Sequence, residues 1–218
     1  MDMNDVLGEE HVKRGMEVAA IGNHSMLFIG PPGAGKRMLA RRFKTIYDYD
    51  YQTILNATNK VMKVNPSILI IAMMTPCPCG NFTDPKKECL CTPRNIQHHL
   101  ASIPESLMSR IDIQLEVPRL NIEHLTDKRR GESSKEIRTR ITQLREKQLL
   151  RKPGKMPMEK EAEELAKLAT LELGISFASY DKILRVSQTI AMMDGKETIE
   201  AHHLSETIGY RSLDRNLW

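Results

Sequence analysis

The sequence has few aromatic residues and no long apolar run, and one stretch of it contains no acid at all. Phe, Tyr and Trp make up 5% of 218 residues, so a core has to be assembled mainly from Ile, Leu, Val and Met. The longest apolar run, Ile68 to Met74, has seven residues, whereas a membrane-spanning helix needs about 20. The opening Met1-Asp2-Met3-Asn4-Asp5 is acidic and lacks the basic-then-apolar order of a secretory signal. Together these absences predict a cytoplasmic protein with no membrane partner. Cysteine is missing outside Cys77 to Cys91. Four cysteines clustered in a cytosolic chain point to a metal or a tight structural knuckle rather than a disulfide framework. From Tyr51 to Thr83 there is neither Asp nor Glu.

Apolar residues at 40% and charged residues at 28% describe an ordinary globular chain. The formal charge of +4 is small but unevenly spread: from Lys128 to Lys155 there are eleven Lys or Arg against Glu132, Glu136 and Glu146. That segment either attracts phosphate backbones or forms a solvated helix face with a charged linker.

Glu10 to Ala20 reads as a helix ended by Gly22-Asn23. The run from His24 to Ile29 reads as a strand, followed by a Gly/Pro loop and the first turns of a helix at Met38 to Arg42. Tyr47 to Pro66 is irregular and polar. Ser67 to Ala72 is apolar after its first residue, as suits a strand buried on both faces. A helix is expected from about Arg94, and Ile111 to Val117 alternates as a strand stopped by Pro118. Beyond that the text is helical. Ser133-Ser134-Lys135-Glu136 forms a capping box, the helix it starts is broken by Lys152-Pro153-Gly154-Lys155, and three helices follow at about 159–173, 177–193 and 199–209, the last capped by Thr198. The organisation is therefore an α/β part over 1–122, with a cysteine hairpin at 76–93, and an all-α part over 123–218.

Gly30-Pro31-Pro32-Gly33-Ala34-Gly35-Lys36-Arg37 matches the phosphate-loop pattern G-x-x-x-x-G-K and departs from it at the last position. The glycines let backbone N–H groups turn towards phosphates, the lysine reaches the terminal phosphates, and a Ser or Thr hydroxyl normally holds magnesium. Arg37 replaces that hydroxyl, and a guanidinium repels a cation rather than ligating it.

Around this loop the chain resembles a known family. Gly8-Glu9-Glu10-His11-Val12-Lys13-Arg14, Glu17-Val18-Ala19-Ala20 and Ile29 to Lys36 are similar to the magnesium-chelatase-like AAA+ ATPases. Pro76-Cys77-Pro78-Cys79-Gly80 with Cys89-Leu90-Cys91-Thr92-Pro93 resembles the signature of its competence-associated bacterial branch, and Arg110-Ile111-Asp112-Ile113, Gly131 to Ser134 and Tyr210 to Arg215 match as well. The resemblance implies a P-loop AAA+ core with a parallel sheet, an all-α lid, ATP and magnesium as ligands, assembly into a ring, and a role in ATP-driven DNA processing. It also implies that Arg110 is an arginine finger offered to a neighbouring subunit's nucleotide.

The departures from that pattern fall on the chemistry. Hydrolysis requires acids at the end of a second apolar strand, and Asp48 and Asp50 follow no such strand. Thr75 stands where the family has an Asn that senses the terminal phosphate, and Ala178 where it has an Arg from the lid. Only 30 residues separate Lys36 from Ser67, too few for the two strand–helix units the family places there. With strand order 5-1-4-3-2, their loss predicts a reduced, three-stranded sheet whose Ser67–Ala72 strand is an unpaired edge inviting self-association. Three readings result: an ATP-binding module with hydrolysis impaired or lost, a catalytically inert remnant that binds DNA or joins rings of related subunits, or a true ATPase with substituted catalytic groups. Cys77, Cys79, Cys89 and Cys91 have ligand types suited to tetrahedral zinc, or else form a hairpin with free thiols. Met73-Met74 and Met192-Met193 read as core, and His98-His99 and His202-His203 as helix residues whose adjacent side chains diverge.

Overall fold

A computed structural model describes residues 1–59, 65, 67–119, 131–150 and 154–214. Its element order is helix α1 (Glu10–Gly22), strand β1 (Met26–Ile29), α2 (Lys36–Phe43), β2 (Tyr51–Ile54), β3 (Leu69–Met74), α3 (Pro93–Leu100), α4 (Glu105–Met108), β4 (Ile113–Glu116), α5 (Ser134–Leu150), α6 (Lys160–Leu173), α7 (Phe177–Met193) and α8 (Ala201–Gly209). Short 3-10 turns at Met3–Asp5 and Ser212–Asp214 flank these elements. The expected boundary at 122/123 and residues 151–153 of the expected helix break lie outside the described residues.

All four strands are parallel, in the order β2-β3-β1-β4. Apolar side chains alternate between the two faces, as the pleat requires. Met26, Phe28, Leu69, Ile71, Met73, Ile113 and Leu115 point into one core with α1, α2, α5 and α7. Leu27, Ile29, Ile70, Ala72 and Met74 point into a second core with Leu107 and Ile111. Phe28 is fully buried, and burying one such side chain contributes about 1.5–3 kcal/mol. The helix that follows α6 packs on its own small core, where Ile183 meets Ala166, Ala169 and Leu204.

One expectation is overturned. The Ser67–Ala72 run does become a strand, but it is internal, because Tyr51–Ile54 pairs with it in parallel over four positions, Tyr51 opposite Leu69 through Ile54 opposite Ala72. The sheet has four strands, not three. β2 is short, and only Ile54 in it is buried. A half-exposed edge strand can carry Gln and Thr, so apolar patterning does not reveal it, although Tyr, Thr and Ile are good strand formers. The premise of an unpaired apolar edge is gone, since the edge is now short and polar.

Local signals held elsewhere. Asn23 ends α1 with φ 56°, Thr92 caps α3 by accepting from the Asn95 N–H, and Gly174 ends α6 with φ 62°. The capping box at Ser133 and Glu136 forms in both directions: Ser133 N donates to Glu136 Oε2 (2.8 Å) and Glu136 N to Ser133 Oγ (3.3 Å). Thr198 is not the cap of α8. Glu200 takes that place, because Ile199 is held against Met158 in an isolated parallel bridge and the helix starts after it. The cysteine segment is a succession of turns rather than a strand hairpin.

The helical part is joined to the sheet at the end where β1 and β4 begin. There the Asp112 carboxylate accepts from Arg185 of α7 (2.9 Å) and from Ser25 N (3.2 Å), and His24 Nδ1 lies 3.8 Å away. Arg211, 3% exposed, donates to the carbonyls of Ile111 (2.9 Å) and Asp112 (3.1 Å) and to Asp214 (2.8 Å). Gln114 N donates to Tyr210 O (2.7 Å), and Gln114 Oε1 accepts from Leu213 N (2.7 Å).

Candidate functional site

The glycine loop runs from the end of β1 into α2, at the opposite end of the sheet from that joint. Gly33 and Gly35 adopt φ 82° and 92°, a region that side-chain-bearing residues avoid. The Gly30 backbone passes so close to β4 that a Cβ there would lie 2.1 Å from Val117 O. Lys36, the first residue of α2, turns its amine back on the loop and donates to Gly30 O (2.5 Å) and Pro31 O (2.8 Å). Burial lowers its pKa to about 8.

The loop opens onto a cleft of about 750 Å³. Pro32 to Met38 form one wall, Met73, Met74 and Thr75 the floor, and Leu55, Asn56, Thr58, Pro78 and His99 the far side. Sequence reading missed Leu55, Asn56, Thr58 and His99. The first three depend on β2, which the sequence hid, and His99 reads from the sequence only as a helix residue. His99 Nε2 donates to Thr75 O (2.9 Å), while Thr75 Oγ1 donates to Cys77 O (3.0 Å).

The cleft suits an anion better than a divalent cation. It offers loop N–H groups, an ammonium and the start of a helix. Among its described lining residues there is no carboxylate, and Arg37 is one of them. Magnesium favours oxygen ligands and usually takes one or two carboxylates. Here the end of β2, beside β3, leads into Leu55-Asn56, and Asn56 Oδ1 is engaged by Thr58 N (3.1 Å) and Thr58 Oγ1 (2.8 Å). Asp48 lies before the start of that strand and pairs with Arg138. The described cleft residues therefore suit an anion such as phosphate and do not fit a bound magnesium ion.

Arg110 is far from this loop in the sheet, at the end where β3 begins, and donates to Ile68 O (2.9 Å) and Asn65 O (3.3 Å). Ala178 is not among the residues around the cleft, to which no described residue beyond 131 contributes.

The four cysteines do converge. Cys77 Sγ lies 3.4 Å from Cys79 Sγ and 3.7 Å from Cys89 Sγ, Cys79 Sγ is 3.7 Å from Cys89 Sγ, and all four sulfurs fall within 4.8 Å of one another. Zinc–sulfur bonds of about 2.3 Å in a tetrahedron place sulfurs roughly 3.8 Å apart. The thiols are free. The Cys79 thiol is pulled down to about 6 by the Asn81 backbone N–H and the neighbouring thiols, whereas Cys89, despite the lowering Cys91 backbone N–H, is pushed up to about 12 by desolvation and then by the Cys79 and Cys77 thiols.

The His202 and His203 side chains do not diverge as expected, their ring centroids lying 3.9 Å apart beside Asp194, but this second cluster is a poor metal site. His203 Nδ1 accepts from Glu200 N (2.9 Å) in the cap of α8. Its proton therefore sits on Nε2, 3.3 Å from Asp194 Oδ2, and no lone pair is left for an ion.

Comparison with known proteins agrees with this architecture. The family model described as magnesium chelatase, subunit ChlI, matches residues 2–64 and 48–125. The model of that subunit's C-terminal part matches residues 131–211. The two stretches of the first match overlap at 48–64, the segment around β2. The competence protein ComM of Haemophilus influenzae is 27% identical over 316 aligned positions, with all of this chain and 61% of that protein covered. The uncharacterized protein YifB of Escherichia coli is 24% identical, covering 99% of this chain and 61% of its own length. An uncharacterized Mycobacterium tuberculosis protein is 49% identical over 41 residues, 19% of this chain and 8% of its own. The chain thus spans 61% of the length of the two relatives it matches throughout. Because 218 residues align over 316 positions, the ComM alignment also contains many positions with no counterpart here. With an α/β core of parallel strands, a glycine loop and a following helical part, the chain belongs to the magnesium chelatase ChlI family.

Proposed function

We propose that this chain is an AAA+ nucleotide-binding module that holds ATP on Gly30 to Arg37 and has impaired hydrolysis. The observation that carries this reading is the cleft itself, which is lined by the glycine loop and Lys36 and has no described carboxylate on its walls. Loop N–H groups and the Lys36 ammonium bind and orient the phosphates, and the Met73 and Met74 floor excludes water. Magnesium has no anionic oxygen ligand from the described cleft residues, and none of them is placed as a base for an attacking water. Residues 1–122 form the core and 123–218 the lid in this reading. Arg110, remote from its own loop, acts on a neighbouring subunit's nucleotide in a ring, and Cys77, Cys79, Cys89 and Cys91 hold zinc. The basic segment from Lys128 to Lys155 supplies attraction for DNA.

A second reading has support from Lys36, whose amine is already satisfied by the carbonyls of Gly30 and Pro31. A loop closed on itself suits an inert remnant that acts only through DNA or related subunits. Titration with a fluorescent ATP analogue separates the two. The proposed function requires micromolar binding that Lys36→Ala abolishes, whereas the remnant gives no binding or binding indifferent to Lys36.

A further inference from the structure

The cysteine loop is built against the phosphate loop, and turn hydrogen bonds, the Asp84–Arg119 pair and its convergent sulfurs hold it in shape. Between Cys77 and Cys91 only Cys77, Gly80 and Asp84 are buried, and the segment contains no helix or strand. An apolar core therefore cannot fix it, and four ligands on one ion would. Three contacts then tie it to the nucleotide site. Gly80, at φ 81°, packs so closely on Pro32 that a Cβ there would lie 2.7 Å from the Pro32 ring. The buried Asp84 carboxylate receives a two-pronged bond from Arg119, Nε to Oδ1 (3.1 Å) and Nη2 to Oδ2 (2.7 Å), and the same Arg119 donates to Pro32 O (3.1 Å). Thr75, on the cleft floor, donates to Cys77 O (3.0 Å), and Pro78 lines the cleft directly.

We propose that the four-cysteine metal site is a brace for the phosphate loop, so that zinc at Cys77, Cys79, Cys89 and Cys91 and nucleotide at Gly30 to Arg37 strengthen each other's binding. This rests on the zinc and nucleotide readings above. Zinc fixes the Cys77 to Cys91 turns, the turns fix Gly80 and Asp84, and these fix Pro32 through direct packing and through Arg119. Coupling free energies between sites are reciprocal and amount to roughly 5- to 150-fold in affinity.

The test uses the whole chain, zinc-loaded and freed of excess metal, against the same chain stripped by a chelator, with circular dichroism confirming that the helices persist. Metal content is measured by mass spectrometry, analogue affinity by fluorescence, and amide exchange at residues 30–37 by hydrogen–deuterium mass spectrometry. The expected result is one zinc per chain, analogue binding at least about 5-fold weaker after stripping, and faster exchange of the loop. Asp84→Ala is expected to keep its zinc while losing most of the difference between loaded and stripped protein. Zinc bound with neither affinity nor exchange responding to its removal overturns the brace alone. A chain that takes up no zinc overturns it through the metal reading. If no analogue binds, the nucleotide reading fails, and the exchange of residues 30–37 still decides whether the metal braces the loop, with unchanged exchange overturning it.

Discussion

The two ends of the sheet are built differently. Where β1 and β4 begin, the buried Asp112 pairs with Ser25 and the exposed Arg185, and the buried Arg211 with two carbonyls and Asp214. Where β1 and β3 end, the chain has a glycine loop, an ammonium bonded to that loop and an open cleft whose described walls carry no acid. The first end joins the helical part to the core and depends on every partner being present. At the second end Leu55, Asn56 and Arg37 are exposed, so their side chains add little to the packing of β1 to β4. A fold of this kind keeps its joint and its loop while the donors for magnesium are absent from the described cleft.

The largest expected effect breaks the joint. Arg211→Ala leaves the carbonyls of Ile111 and Asp112 and the Asp214 carboxylate without their buried partner, a loss of about 3–5 kcal/mol that denaturant unfolding would measure. A mutation of similar reach at the other end, Lys36→Ala, should leave the unfolding midpoint nearly unchanged. If both destabilise equally, the contrast between the ends is wrong. Next is Gly30→Ala, whose Cβ meets the Val117 carbonyl at 2.1 Å. Crowding of backbone against backbone should cost about 1–3 kcal/mol, and should weaken analogue binding more than it lowers stability.

Smaller effects come from protonation. Lys36 is lowered to about 8 by burial, so analogue binding that depends on its ammonium should weaken as pH rises through 8, and Lys36→Arg should flatten that dependence. The shift in His203 acts through stability instead. Its pKa is lowered, first by burial and then by the neighbouring His202, so the unfolded chain binds more protons than the folded one. Stability is then retained above the unfolded value of about 6.5 and declines as pH falls below it. Thermal unfolding between pH 8 and 5 should show this slope, and His203→Gln should reduce it.

How much of this the sequence disclosed depends on the range of the interaction. The glycine loop, the Ser133 box and the end of α1 at Asn23 are local, and their residues announce them. The four cysteines were legible as a group, although their convergence needed the turns between them. β2 was not legible. Its four residues are a strand only because β3 supplies a partner, and an edge position tolerates the polar pattern that disguised it. The cleft residues Leu55, Asn56 and Thr58 were hidden with it. The Asp84–Arg119 pair spans 35 positions and carries no periodic signal. The motifs at Arg110 to Ile113 and Tyr210 to Asp214 stood out in the sequence, and their residues meet at the joint, where Arg211 bonds the backbone of Ile111 and Asp112.

The most direct measurement is phosphate release from ATP by the purified chain, followed with and without magnesium beside an analogue titration under the same conditions. The proposed phosphate-binding cleft, with no acidic donor on its described walls, predicts analogue binding that magnesium leaves unchanged, together with no phosphate release above the Lys36→Ala background. Magnesium-dependent tightening with steady turnover abolished by Lys36→Ala would contradict it.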